Sequence, residues 1–169
     1  MKKSSKAIDA ETPAKQLAAF IAKFDPRVQK VIRSARSALR KRFPTANELV
    51  YDNYNFLVIG FCVSERPSDC IVSLAANAKG VGLSFYRGAT LPDPAGILLG
   101  SGNQNRFIRL ESATTLAKPE VEALLSAAIA QAKTPLAATG CGHTIIRLVS
   151  AKQRPRRLPS KQPRAAFGL

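Results

Sequence analysis

The chain has 169 residues, 46% of them hydrophobic, and 26 Lys and Arg against 11 Asp and Glu give it a formal net charge of +15 at pH 7. This length and composition are typical of one globular domain. No apolar run reaches the roughly 18–20 residues that span a bilayer, and the N-terminus lacks the apolar stretch of a secretory signal. We therefore expect a cytoplasmic protein with no membrane partner.

The positive charge is concentrated at the C-terminal end but extends over the whole chain. Residues 151–169 contain six basic residues and no acid, which leaves a net charge of +9 on residues 1–150. Such a charge favours polyanionic partners, either nucleic acid or a phosphorylated ligand. The alternative is a basic surface that only keeps the protein in solution.

Two helices are predicted first. Thr12-Pro13 and Asp25-Pro26 both place an N-cap residue before a proline, which is the usual start of a helix. The second helix ends at Phe43-Pro44, because the residue before a proline disfavours helical backbone. Apolar residues recur at helical spacing in both: Leu17, Phe20, Ile21 and Phe24 in the first, and Val28, Ile32, Ala35 and Leu39 in the second.

Short apolar or alternating runs separated by turn residues predict the strands that follow. These are residues 48–52, 56–64, 70–76, 81–86 and 106–111, with 143–149 as a further strand at a sheet edge. A helix over 119–132 has one apolar stripe and two acids in its first turn, where the helix dipole favours them.

This order of elements is typical of an α+β domain with an antiparallel sheet of about five to six strands. We assign residues 1–11 as a disordered N-terminus, 12–150 as a single domain and 151–169 as a basic, Pro-rich disordered tail. We expect a monomer or a weak dimer.

Several segments resemble the YdhG-like family of domains of unknown function. They are YDNYNFLVIGF, ERPSD, SFYRGATLPDP, GSGNQNRFIRLES and LAKPEVEALL, in this order between about residues 15 and 133. The resemblance implies a frataxin-like fold, with the N-terminal and C-terminal helices packed on one face of the sheet. One branch of the family has been associated with intracellular iron delivery, and most members have no assigned activity.

The sequence departs from what an iron-binding surface needs. Residues 12–43 contain Asp25 as their single acid against nine Lys and Arg, whereas hard iron ions are held by carboxylate and other oxygen ligands. The resemblance therefore supports a frataxin-like fold more strongly than it supports an iron-binding function.

Two loops are candidate ligand sites. Asp52, Asn53, Tyr54 and Asn55 lie between two strands, where they would line a cleft or, alternatively, form a turn in which Asp and Asn cap their own backbone. Gly100, Ser101, Gly102, Asn103 and Arg106 belong to a glycine-rich loop that would bind an anion through backbone N–H groups, or simply turn at its glycines. An enzyme would use the two loops as the walls of one cleft.

The basic side chains give a candidate polyanion surface. The residues are Arg33, Arg36 and Arg40 on one flank of the second helix, and Arg154, Arg156 and Arg157 in the tail. Phosphates along a nucleic-acid backbone would fit such a row, and a solvated helix face is the alternative. Few aromatic side chains are available for base stacking.

The cysteines and the single histidine complete the candidates. Cys62 and Cys70 are placed to face each other across a hairpin, and we interpret them as packing residues in a reducing cytosol, with a redox or metal pair as the alternative. Cys141 and His143 lack the third group that a catalytic pair or a metal site needs. We predict no catalytic residues, no metal site and no cofactor.

Overall fold

The computed structural model describes residues 11–160 and forms an α+β domain with three α-helices and a six-stranded sheet. The predicted disordered N-terminus lies almost wholly outside the described residues, as do residues 161–169 of the predicted tail. Within residues 11–160, no helix is both long enough and apolar enough to cross a membrane.

The helices begin where their capping residues predict. Helix α1 spans Pro13–Ala22, and the Thr12 hydroxyl accepts a hydrogen bond from the Lys15 backbone N–H at 3.3 Å. Helix α2 spans Pro26–Arg42, and α3 spans Pro119–Ala130. Their predicted apolar stripes are buried, apart from the half-buried Val28, Ile129 and Ala132.

The strands form one sheet in the order β5-β4-β3-β2-β1-β6. Their bounds are β1 Asn47–Asp52, β2 Leu57–Cys62, β3 Cys70–Asn77, β4 Gly80–Phe85, β5 Arg106–Leu110 and β6 Thr144–Val149. All neighbouring strands are antiparallel except β6, which runs parallel to β1.

The parallel strand β6 is where the sheet departs from the predicted all-antiparallel arrangement. After α3 the chain returns to the end of the sheet at which β1 begins, where the Gly142 N–H donates to the Pro44 carbonyl. Because it enters from that end, β6 must run in the same direction as β1. Its predicted position at a sheet edge is confirmed.

The core lies between the helices and one face of the sheet. Side chains of a strand alternate between the two faces, and the register aligns Val50, Ile59 and Leu74 across three strands. All three belong to the same buried cluster as Leu17, Ile32 and Leu124 of the helices. The three helices therefore pack on this one face.

Candidate anion-binding surface

Helix α2 presents a row of basic side chains along one flank. Arg33, Arg36 and Arg40 recur at spacings of three and four residues, which places them on the same side of a helix. Together with Ser37 and Lys41 they line an open groove. The row flanks the buried α2 stripe at Ile32, Ala35 and Leu39, so it lies at the edge of the core.

Two of these arginines are held by one buried carboxylate, Glu48 of β1. Arg36 donates from Nε to Glu48 Oε2 at 2.6 Å and from Nη2 to Oε1 at 3.2 Å, while Arg40 Nη1 donates to Oε1 at 2.6 Å. Glu48 is only 2% exposed. A buried carboxylate fixes the arginines in place without consuming all their donors, since each guanidinium carries five N–H groups.

The groove keeps an excess of positive charge. Among the described residues, neither Arg33 nor Lys41 makes an ion pair, and Glu48 is the one acid that Arg36 and Arg40 contact. Four cations against one carboxylate leave three positive charges on a surface where the Arg40 side chain is 48% exposed. Such a surface is suited to a phosphate-bearing anion.

A second buried carboxylate, Asp52, lies at the other end of β1 on the same face. It is fully buried and accepts hydrogen bonds from Lys23 Nζ and Arg156 Nη2, both at 2.8 Å. Burial by itself would raise the pKa of Asp52, but side-chain hydrogen bonds from Lys23, Gln153 and Arg156 outweigh it and hold the pKa below its usual value.

The segment after β6 is held against the domain by this carboxylate. Arg156 is 5% exposed, also donates to the Asn53 carbonyl, and lies 5.7 Å from the centre of the Phe24 ring. Gln153 bonds both the Asp52 carbonyl and Lys23. Residues 151–160 thus form a largely exposed coil that is attached to the domain at Gln153 and Arg156.

The three arginines of the C-terminal segment that were predicted to bind a polyanion lie in different environments. Arg156 is buried in an ion pair and is not part of a binding surface. Arg157 is exposed but donates to the Lys23 carbonyl at 3.2 Å, at the C-terminal end of α1. Arg154 is exposed with its guanidinium 5.6 Å from the Tyr54 ring centre. The α2 row therefore remains as the coherent basic surface.

The loop at 52–55 forms a turn rather than a cleft. Asn53 Oδ1 accepts hydrogen bonds from the backbone N–H groups of Asn55 and Phe56, at 3.0 and 2.8 Å. This is the self-capping arrangement that the sequence offered as the alternative. Tyr54 is 49% exposed, and Asp52 is occupied by its basic partners.

In the loop at 100–106 the arginine bonds back to the loop itself, while Ser101 and Asn103 are exposed. Arg106 Nη1 donates to the carbonyls of Gly102 and Asn105, at 2.5 and 2.8 Å. Gly100 has a φ of 108°, a conformation that favours glycine. The arginine that was expected to meet an anion is thus used to close its own loop.

The two loops lie at opposite ends of the sheet, so they do not form the walls of one cleft. Asp52 pairs with Leu57 at the end where β1 finishes, and Ala76 and Val81 lie at that same end. Strand β5 starts at the other end, with Arg106 opposite Phe85. The strand order also separates β1 from β5 by three strands.

Cys62 and Cys70 meet across the β2–β3 pair, as their spacing suggested, and the structure joins them as a disulfide. Cys141 is free and exposed, and the backbone N–H of His143 donates to Asn47 Oδ1 at 3.0 Å. Within residues 11–160, no three or more His, Cys, Asp and Glu residues are grouped as for a metal ion.

Sequence reasoning missed Glu48 as the residue that organises the arginine row. Its signal was its position: Glu48, Val50 and Asp52 alternate along β1 and so share the core-facing side. An acid at such a position needs a basic partner, and α2 carries the nearest surplus of cations.

Comparison of the chain with protein-family models, with curated proteins and with solved structures found no match.

Proposed function

We propose that the protein is a non-enzymatic binding domain whose ligand is a phosphate-bearing polyanion, bound in the groove along α2. The observation that carries this proposal is the excess of three positive charges on Arg33, Arg36, Arg40 and Lys41 around one buried carboxylate. Arginines positioned in advance lose little conformational entropy on binding, which favours affinity.

The dimensions of the row suit a nucleic-acid backbone. Arg33 and Arg40 are seven residues apart, which corresponds to about 10 Å along a helix axis. Phosphates of one strand of duplex DNA rise by about 3.4 Å each along its axis while they wind around it, so a straight row of this length would meet roughly two or three of them. Aromatic side chains for base stacking are absent from the lining residues, which favours backbone contacts without sequence readout.

The other functions suggested by the sequence have less support. An iron-delivery role requires oxygen-rich acidic sites, whereas the acids paired with Lys23 and with basic residues of α2, namely Glu48, Asp52 and Glu122, are each occupied by a basic side chain. Membership of the YdhG-like family and a cytoplasmic location remain proposals. The α+β architecture with helices on one face is compatible with that family and carries no ligand assignment by itself.

Binding of the full-length protein to a fluorescent DNA duplex, an RNA duplex and inorganic pyrophosphate, at several salt concentrations, tests the proposal. We expect duplex binding with a slope of log K against log salt of about −3, because about 0.9 counterions are released per phosphate contact. The variant Arg33→Gln/Lys41→Gln leaves both ion pairs to Glu48 intact. It should bind about tenfold more weakly with a shallower slope.

The matched control is Lys79→Gln/Arg109→Gln, which removes the same charge from two exposed positions far from α2. We expect the control to lose less than about threefold in affinity. Equal losses in both variants would mean that only the overall charge matters. Absence of duplex and pyrophosphate binding at low salt would overturn the proposal, while pyrophosphate binding alone would assign a small phosphorylated ligand.

A further inference from the structure

The cysteine pair lies where two strands begin to separate. Cys62 is the last residue of β2 and Cys70 the first of β3, and the strand register makes them direct partners. Gly60 lies two residues before Cys62 on the same face of β2. A Cβ at Gly60 would come within 2.7 Å of Cys70 Sγ, so the absence of a side chain there makes room for the two sulfur atoms.

The two sulfur-bearing residues differ in their access to solvent. Cys62 is fully buried, whereas Cys70 is half-buried. Cys70 also lines an open cavity of about 30 Å³ between the start of β3 and the end of α3. That volume is about the space of one or two water molecules.

Cationic side chains surround the same cavity. Arg87 and Lys133 line it together with Cys70 and Asp69. The negative charge of Asp69 is stabilised locally, since its Oδ2 accepts hydrogen bonds from the Ser64 hydroxyl at 2.6 Å and from Arg66 Nε at 3.2 Å. The cavity therefore favours the approach of an anionic reagent.

We propose that Cys62 and Cys70 form a reversible dithiol–disulfide redox site, with Cys70 as the sulfur attacked by an external anionic thiol of the glutathione class. The geometry that carries this is the pairing of one sealed and one accessible cysteine beside a cationic cavity. It is independent of the proposed polyanion binding, since the α2 groove shares no residue with it.

The reaction is a thiol–disulfide exchange in two steps. An external thiolate attacks Cys70 Sγ, the Cys62–Cys70 bond breaks, and Cys62 leaves as a thiolate that takes up a proton from water. A second external thiolate then attacks the external sulfur of the mixed disulfide, releasing Cys70 and an external disulfide. Two external thiols thus supply the two electrons that reduce the cysteine pair.

The full-length protein with Cys141→Ser, which removes the exposed cysteine, provides the test. It is equilibrated over ratios of reduced to oxidised glutathione, quenched with acid, alkylated and measured by intact mass. We expect one two-electron transition between the dithiol and the disulfide. Failure to form the intramolecular disulfide at any ratio would overturn the proposal.

The assignment of the attacked sulfur is tested in two further variants of this background. With Cys62→Ser, oxidised glutathione should form a mixed disulfide at Cys70. With Cys70→Ser, the buried Cys62 should react at least about tenfold more slowly in the native protein and at an equal rate in urea. Equal native rates, or a faster Cys62, would contradict the assignment, and circular dichroism of each variant confirms that the comparison is made on folded protein.

Discussion

Strand β1 carries two buried carboxylates on the same face, and they have opposite consequences for the molecule. Glu48 and Asp52 are four residues apart, about 13 Å along a strand, and each binds two basic side chains. The partners of Glu48 are two partly exposed arginines of α2. Asp52 binds one buried cation, Arg156, whose side chain is 3% exposed, and one exposed cation, Lys23, at 42%. The Glu48 site therefore displays both of its cations, whereas the Asp52 site encloses one of them.

The difference comes from what covers each end of the strand. At Glu48 the arginines extend from a surface helix, so their outer N–H groups remain in solvent. At Asp52 the segment after β6 packs against the residue, since Arg156 donates to its carboxylate and Gln153 to its backbone carbonyl. The same residue chemistry thus gives an exposed basic surface at one end and an anchor for the C-terminal segment at the other.

The largest change in the free energy of unfolding is expected when the two carboxylates are neutralised, one in each variant. Asp52→Asn leaves Arg156 buried without a counter-charge and should lower the free energy of unfolding by about 3–5 kcal/mol. Glu48→Gln should cost only about 1 kcal/mol, because Arg36 and Arg40 can be hydrated. Urea unfolding of both variants measures the difference, and equal losses would show that the two sites are not distinct.

Acidification should act chiefly on the Asp52 site. Its pKa is lower in the folded protein than the ordinary value of 3.8, so its contribution to stability is present above that value and is lost as the pH falls below it. We expect the stability of the native sequence to decrease below about pH 4. The pKa of Asp69 is also lowered, chiefly because its carboxylate accepts a hydrogen bond from Ser64.

The variant Asp52→Asn should therefore have a flatter dependence of stability on pH than the native sequence. Thermal unfolding between about pH 2 and pH 6 would measure both curves. Parallel curves would contradict the assignment of the acid sensitivity to Asp52.

The Glu48 site can be examined with a substitution that retains charge. Arg36→Lys removes the second contact to Glu48, because a lysine ammonium cannot reproduce the planar two-point geometry of arginine. We expect a loss of about 1 kcal/mol in unfolding free energy. Arg33→Lys is the matched control, since Arg33 contacts no acid within the described residues, and its effect should stay within about 0.5 kcal/mol.

The smallest expected loss of unfolding free energy concerns Arg157, which lies next to the Asp52 site. Arg157→Gln removes a cation that donates to the carbonyls of Ala22 and Lys23 at the end of α1. We expect a loss of about 0.5 kcal/mol, the usual scale for a cation at a helix C-terminus. Lys152→Gln is a control in the same segment, and a change as large as that of Arg157→Gln would indicate a general charge effect.

The fold was largely predictable from local signals, and the candidate site only in part. Cap-proline pairs and apolar periodicity placed all three helices and all six strands, and the arginine spacing identified the flank of α2. The burial of Arg156 could not be predicted in the same way, because a basic, Pro-rich stretch has the composition of a disordered segment and its buried partner is distant in the sequence. Asp52 is that partner, and it lies 104 positions away in the sequence.

The set of elements and the buried side of each can be inferred from local sequence, since both depend on residues close together in the chain. The direction of β6, the pairing of Glu48 with α2 and the burial of Arg156 beside Asp52 cannot be inferred in this way. These features depend on contacts between distant segments, and a charged residue carries no local sign of whether its partner will leave it exposed or bury it. The same two residue types, acid and arginine, therefore produced an exposed basic groove and a buried anchor on one strand.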